Sequence, residues 1–269
     1  MAQQRNGQVA AVAKAATLLD ALARNEAATA IELARASAVD RTTVHRLLTT
    51  LEPTGLVQRS GSTWRLGSGA VGLGGAYVDQ SALRRAALPY AIDLQRTLRE
   101  RRAVISIDVL SGTEMLVVER LWNRRTPLAT ILDVGNRVSV TGSASGLAVL
   151  AALGEEGIAG DPALGELVES SAPAVRAGVE RARARQGLAI LSAGVRPDLD
   201  AMAVAVIGPA GAPIGSLVVA GQDISDHHAT SDTARTLLIA ARRASHELRT
   251  NSARAASRHE ATRRRRRAE

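Results

Sequence analysis

Cysteine is absent from this chain of 269 residues, which removes disulfides, thiolate metal sites and a cysteine nucleophile together. Histidine is nearly as scarce. All five fall at position 45 or within 227–259, so residues 46–226 hold none. Without either residue there, the usual hydrolytic triads and zinc sites cannot be assembled in the larger part of the chain. Asp108, Glu114 and Glu119 remain, but they alternate along strand-like runs in the manner of a solvated face. The chain therefore reads as a non-enzyme that calls for neither cofactor nor metal. No uninterrupted apolar run approaches membrane-spanning length, and the opening Met-Ala-Gln-Gln-Arg-Asn-Gly lacks a signal-peptide core. The expectation is a soluble cytoplasmic protein without a membrane partner.

Lysine is also missing but for Lys14, so the positive charge is arginine. The formal net charge is +8, yet from Arg249 to the end eight arginines stand against Glu260 and Glu269, a net of +6 that leaves +2 for the rest. The body of the protein is nearly neutral, and basic balance alone is weak evidence for nucleic-acid binding. The run Arg263–Arg267 reads as a solvated, disordered tail, or more sharply as a non-specific phosphate contact.

What is present begins with an amphipathic helix marked by Val12, Ala15, Ala16, Leu19 and Leu22, after a polar start over residues 1–8 that reads as disordered. Thr29-Ala30-Ile31-Glu32 has the form of a capping box. It opens a short helix from Ala30 to about Ala36 that should bury Ile31, Leu33 and Ala34. After Ser37-Ala38-Val39-Asp40 comes Arg41–Leu51, with Val44, Leu47, Leu48 and Leu51 at helical spacing. Its other side carries Arg41, Thr42, Thr43, His45, Arg46 and Thr49, cations and hydroxyls with almost no acid. A helix greasy on one side and basic on the other suits a major-groove reader. Two helices this close form a helix-turn-helix. Pro53 and Gly55 stop the second, and Leu56–Arg59 with Thr63–Leu66 read as a hairpin about Gly61. A helix-turn-helix followed by a hairpin is a winged helix, with Arg59 and Arg65 placed to touch phosphates.

Gly67, Gly69 and Gly72 spell G-x-G-x-x-G, with Asp93 downstream. The context argues against a dinucleotide site, because the preceding strand holds Trp64 and Arg65 rather than a continuous apolar run. The stretch reads instead as a connecting helix with Leu73 and Tyr77 packing. A longer helix follows over Ser81–Arg101, bent at Pro89. Strands are expected at 103–110, 115–121, 127–134, 188–191, 202–207 and 214–220, with helices at 142–153, 175–186 and 228–249. That order predicts an α+β domain, an antiparallel sheet with helices packed on it.

Together these elements resemble the IclR family of bacterial transcription regulators. The resemblance is carried by Arg41-Thr42-Thr43-Val44-His45-Arg46-Leu47-Leu48, close to the family's recognition helix, by the wing end Trp64-Arg65-Leu66-Gly67, and by Pro89 in the second linker helix. It implies a winged helix-turn-helix DNA-binding domain (9–67), a linker helix (68–82) and a GAF-like α+β effector and oligomerisation domain (83–250), ahead of the basic, disordered tail (251–269). It also implies a homodimer or dimer of dimers, acting as repressor or activator on a pseudo-palindromic stretch of double-stranded DNA, and a small organic acid or related metabolite as effector. By the same likeness the effector pocket is lined by Thr141, Gly142, Ser143 and Ala144, by Asp198, Ala201 and Met202, and by Val218 and Ala220. Here the sequence departs from the family. Its frequent cysteine is absent, with Ala201 nearest that place, and the polar pair of the last strand becomes Val218 and Ala220. Apolar replacements do not satisfy a carboxylate. Either the effector is less polar than usual, or the pocket is empty and the second domain serves as an inert dimerisation domain.

Overall fold

The computed structural model describes residues 9–127, 131–192, 195, 199–222, 224 and 229–268, with side chains to residue 254. The chain divides into two compact units, 1–80 and 81–269.

The first unit opens with α1 (Ala10–Ala23), β1 (Ala28–Thr29), α2 (Ala30–Ser37) and α3 (Arg41–Leu51). The capping box forms as read. Glu32 N–H donates to the Thr29 hydroxyl at 3.3 Å, and the Glu32 carboxylate accepts from Thr29 N–H at 2.7 Å. The bond from Thr29 N–H, foremost, and a second from the Thr29 hydroxyl at 2.8 Å hold the Glu32 carboxyl below the usual carboxylate range. Ala38 turns the chain with φ +52, and Asp40 then caps α3 by accepting from Thr43 N–H at 2.8 Å.

Helix α1 buries Leu18, Ala21 and Leu22, whereas Val12 is exposed. On α2 Leu33 is buried and Ile31 is 45% exposed, so both helices present a narrower inward face than their apolar residues suggest. The wing is β2 (Val57–Ser60) and β3 (Thr63–Leu66), paired antiparallel about Gly61. The two residues of β1 add to the far side of β3, giving the order β1-β3-β2. Trp64 thereby enters the core with Leu18, Leu33, Val44 and Leu48.

Helix α4 (Ser68–Gln80) starts where Gly67 and Gly69 meet the Gly55 turn. A Cβ on Gly67 would lie 2.1 Å from the Gly55 carbonyl oxygen, which accepts from Gly69 N–H at 3.0 Å. The first two glycines of the apparent phosphate loop thus seat a helix against a turn. Leu73 and Tyr77, expected to pack, are exposed, and no residue of α4 is buried within the unit.

The second unit holds α5 (Ala82–Thr97), capped by Ser81, then β4 (Ala103–Ser111), β5 (Glu114–Trp122) and β6 (Arg137–Ser139). Next come α6 (Ala144–Ala159), α7 (Pro162–Ser170), α8 (Pro173–Ala184), β7 (Leu188–Leu191), β8 (Asp200–Ile207), β9 (Pro213–Gly221) and α9 (Asp232–Ala268). Its six-stranded antiparallel sheet has the order β6-β5-β4-β9-β8-β7. Strand alternation sends Ile105, Ile107, Met202, Val204, Leu217 and Val219 to one face, where α5 and α9 cover them. Ala203, Ala205 and Val218 go to the other, under α6 and α8. Tyr90 on α5 donates to the Glu247 carboxylate on α9 at 3.0 Å, tying the two covering helices together.

Three expectations change. The third strand, expected over 127–134, is instead Arg137–Ser139; residues 128–130 lie outside the described ones, and 131–134 are not strand. Helix α7 was not anticipated. The closing helix, expected to end at Arg249, runs to Ala268, so the segment expected as a disordered tail is helical backbone, as its alanine and arginine content favours. Among the described residues no helix is long and apolar enough to cross a membrane.

Candidate DNA-reading face and ligand cavity

The basic side of α3 survives folding as a free surface. Arg41, Thr42, His45, Arg46 and Thr49 are exposed, and at 100° per residue they span an arc of about 140°. Val44 and Leu48, on the far side, are wholly buried. No ion pair among the described residues engages Arg41 or Arg46. Thr43 differs from its neighbours: half-buried, it hydrogen-bonds Asp40 through its hydroxyl as well as its N–H, and these bonds lower the Asp40 carboxyl. The Thr49 hydroxyl donates back to the His45 carbonyl at 2.9 Å. On the wing, Arg59 lies over the Trp64 ring, 5.7 Å from its centroid, and donates to the Gly61 carbonyl. Arg65 donates to the Gln58 side chain across the strand pair at 3.3 Å. Both guanidiniums are held by local partners while staying exposed.

In the second unit a cavity of about 50 Å³, partly open to solvent, lies on the α6 side of the sheet. Of the residues expected to line it, Ser143, Ala144, Ala201, Val218 and Ala220 do so. Met202 does not. It sits one residue out of phase on β8, and its side chain is buried on the opposite face with α5 and α9. Thr141 and Gly142 precede the lining turn, and Asp198 lies outside the described residues.

The polar end of the cavity combines the start of α6 with β4. Ser143 caps α6 by accepting from Gly146 N–H at 3.1 Å, and its own hydroxyl donates to the Ser139 carbonyl at 2.7 Å. The Ser145 hydroxyl is 3.2 Å from it. Facing these, Ser106 donates to Asp108 Oδ1 at 2.7 Å. Asp108, assigned to a solvated face from the sequence, is only 3% exposed and lines the cavity. Burial pushes its carboxyl up to about 6, with hydrogen bonds from Ser106 and Ser145 pulling the other way. The other two carboxylates, expected on the same solvated face, are half-buried and ion-paired: Glu119 is 2.8 Å from Arg84, and Glu114 is 3.3 Å from Arg137.

Sequence reasoning missed Val104, Ser106, Asp108 and Ser145. The signal was there in Ala103-Val-Ile-Ser-Ile-Asp-Val-Leu110. On a strand covered on both faces, hydroxyl and carboxyl side chains must face an internal space or each other.

A family model described as the IclR helix-turn-helix domain matches residues 11–61. The transcriptional repressor IclR of Escherichia coli (strain K12) is 27% identical over 155 residues, 56% of this chain and 55% of that protein. The chain spans about half the length of the curated relatives it matches. An IclR homolog of Microbacterium hydrocarbonoxydans, crystallised with 4-hydroxybenzoate, is 25% identical with a TM-score of 0.68, over 89% of this chain and 99% of that one. An IclR family transcriptional regulator from Brucella abortus shares the fold at 19% identity and a TM-score of 0.74, over 91% and 94%.

Proposed function

We infer that this chain, a member of the IclR family of transcriptional regulators, reads a specific DNA sequence through α3 and answers to a small molecule held in its second unit. The observation that carries the first half is the exposed basic and hydroxyl face of α3, its Arg41 and Arg46 free of ion pairs among the described residues, on a capped helix that buries Val44 and Leu48. Arg41 and Arg46 supply guanine or phosphate contacts, Thr42, His45 and Thr49 reach base edges or backbone, and Arg59 and Arg65 on the wing meet phosphates. Thr43 contributes by fixing the start of the helix. On this reading the protein works in the cytoplasm, as a regulator and not an enzyme.

Replacing Arg46 with Ala should cost about 1–3 kcal/mol of operator binding if it reads a base. The measurement is a gel-shift titration on DNA flanking the gene. Unchanged affinity there would remove Arg46 from the reading set.

The cavity, together with the 4-hydroxybenzoate complex of the Microbacterium hydrocarbonoxydans protein, favours an effector over an inert second domain. An effector at 100 times its dissociation constant should add about 2.7 kcal/mol of stability. A metabolite panel that never shifts melting would favour the inert alternative.

Helix α4 points to self-association. It carries Gly69, Gly72, Gly74 and Gly75, each costing a helix about 1 kcal/mol relative to alanine, and none of its residues is buried. Val71, Leu73 and Tyr77 are exposed along it. A second copy of the same helix would supply the missing partner. Sedimentation should return a dimer or larger species at micromolar concentration, and a monomer would sink this reading.

A further inference from the structure

We propose that the cavity selects ligands by a hydrogen-bond donor or positive charge set against Asp108, and so takes amines or alcohols on an apolar body in preference to carboxylic acids. The proposal rests on the effector reading above and gives the ligand its chemical class.

The cavity wall carries its polar groups at one end only. Asp108 receives the Ser106 hydroxyl at 2.7 Å and a second hydrogen bond from Ser145. A carboxylate accepts about four hydrogen bonds, so two hydroxyls leave acceptor capacity unused. No basic side chain lines the cavity among the described residues; beyond the hydroxyls its walls are Val, Leu and Ala. Among the described residues, Asp108 is therefore a buried acid without a cation. Its cross-strand neighbour on β9, Ser216, has a hydroxyl that is wholly buried with no partner among the described residues, on the same face of the sheet as the lining residue Val218.

A carboxylate ligand entering this space meets a like charge and apolar walls, and its own desolvation goes uncompensated. An ammonium group or hydroxyl meets the opposite situation. It fills the open acceptor positions of Asp108 while the ligand body packs on Val104, Leu132, Val218 and Ala220. An amine further converts an isolated buried charge into a pair, which a neutral alcohol cannot do.

The test uses the full-length protein and three probes of one size, benzylamine, benzyl alcohol and benzoate, measured by calorimetry and thermal shift near pH 8. The amine should bind at least about tenfold more tightly than benzoate, with the alcohol between them. In Asp108→Asn the order should collapse, the amine losing about tenfold and the benzoate penalty shrinking. A second measurement needs no variant. Asp108 is the only titratable group lining the cavity among the described residues, and protonation of its carboxyl abolishes the pairing. Amine affinity should then fall about tenfold between pH 8 and pH 5, while alcohol affinity stays nearly level. If benzoate binds wild-type protein as tightly as the amine near pH 8, this inference is overturned and the effector reading stands. If none of the probes binds at millimolar concentration at either pH, both fall.

Discussion

Replacing Asp108 with Asn should make the second unit more stable near pH 8 by about 3 kcal/mol, and by nearly nothing near pH 4. The carboxyl is pushed up from 3.8 to about 6 in the folded chain, mainly by burial. Between those two values the folded state holds a proton that the unfolded state has released, so wild-type stability falls as pH rises through this window. Above about pH 6 the loss is complete, because both states are then ionised and the folded one carries a buried charge. A difference of about two pKa units corresponds to about 3 kcal/mol at 1.36 kcal/mol per unit. Asparagine has nearly the same shape and does not titrate; the Ser106 and Ser145 hydroxyls can turn to accept from its amide. Urea unfolding of both proteins at several pH values measures the difference, in which the remaining titrating groups cancel. A gap between the two curves that does not change with pH would sink the account. The same cost bears on function: a cation in the cavity offsets it, so a protein that keeps an acid there is poised to be stabilised by such a ligand.

Asp108 also shows where sequence reasoning ran out. The elements of the first unit were legible because their signals are local. Thr29 and Glu32 lie three residues apart and cap the same turn, and Val44 and Leu48 share one helix face. Ser106 and Asp108 gave an equally clear alternation, but its meaning depends on whether β4 is an edge or an inner strand. Order along the chain does not fix that, because β4 gains its second neighbour from β9, more than a hundred residues later. Once β9 pairs and α6 covers that face, the polar side of β4 faces a cavity instead of water. Met202 faces away from the cavity for a related reason: it lies on the lining strand, but the phase of that strand's alternation is set by pairing with β9. The displaced third strand is a different case. Ile131-Leu-Asp-Val134 has the apolar content of a strand, whereas Arg137-Val-Ser139, which pairs with β5, has one apolar residue. Between them Gly135 turns the chain at φ +94 and donates to the Val117 carbonyl at 2.9 Å.

Gly146→Ala should destabilise the second unit by about 3 kcal/mol or more, the upper end of what overpacking costs. Alanine is ordinarily the better helix former by about 1 kcal/mol, so the expected sign is the reverse of helix propensity. The reason is position. Gly146 lies in the first turn of α6, where that helix crosses the chain just after β6. A Cβ there would stand 2.0 Å from the Val140 carbonyl oxygen and 2.4 Å from its carbonyl carbon and Cα. These are backbone atoms that no rotamer change can move, so the helix itself must lift. Leu147, Ala148, Val149 and Leu150, all buried, would lift with it. Gly165 on α7 provides the control. Its Cβ would meet nothing closer than 3.6 Å, and Gly165→Ala should be neutral or stabilising by up to about 1 kcal/mol. Urea melts of the two variants measure the contrast, and equal stability would remove the clash as an explanation. Because the same turn carries Ser143 and Ser145 to Asp108, Gly146→Ala should also abolish any ligand-induced melting shift. DNA binding measured in the cold should survive, since α3 packs within a core of its own. Loss of both at once would mean that the first unit depends on the second for its fold.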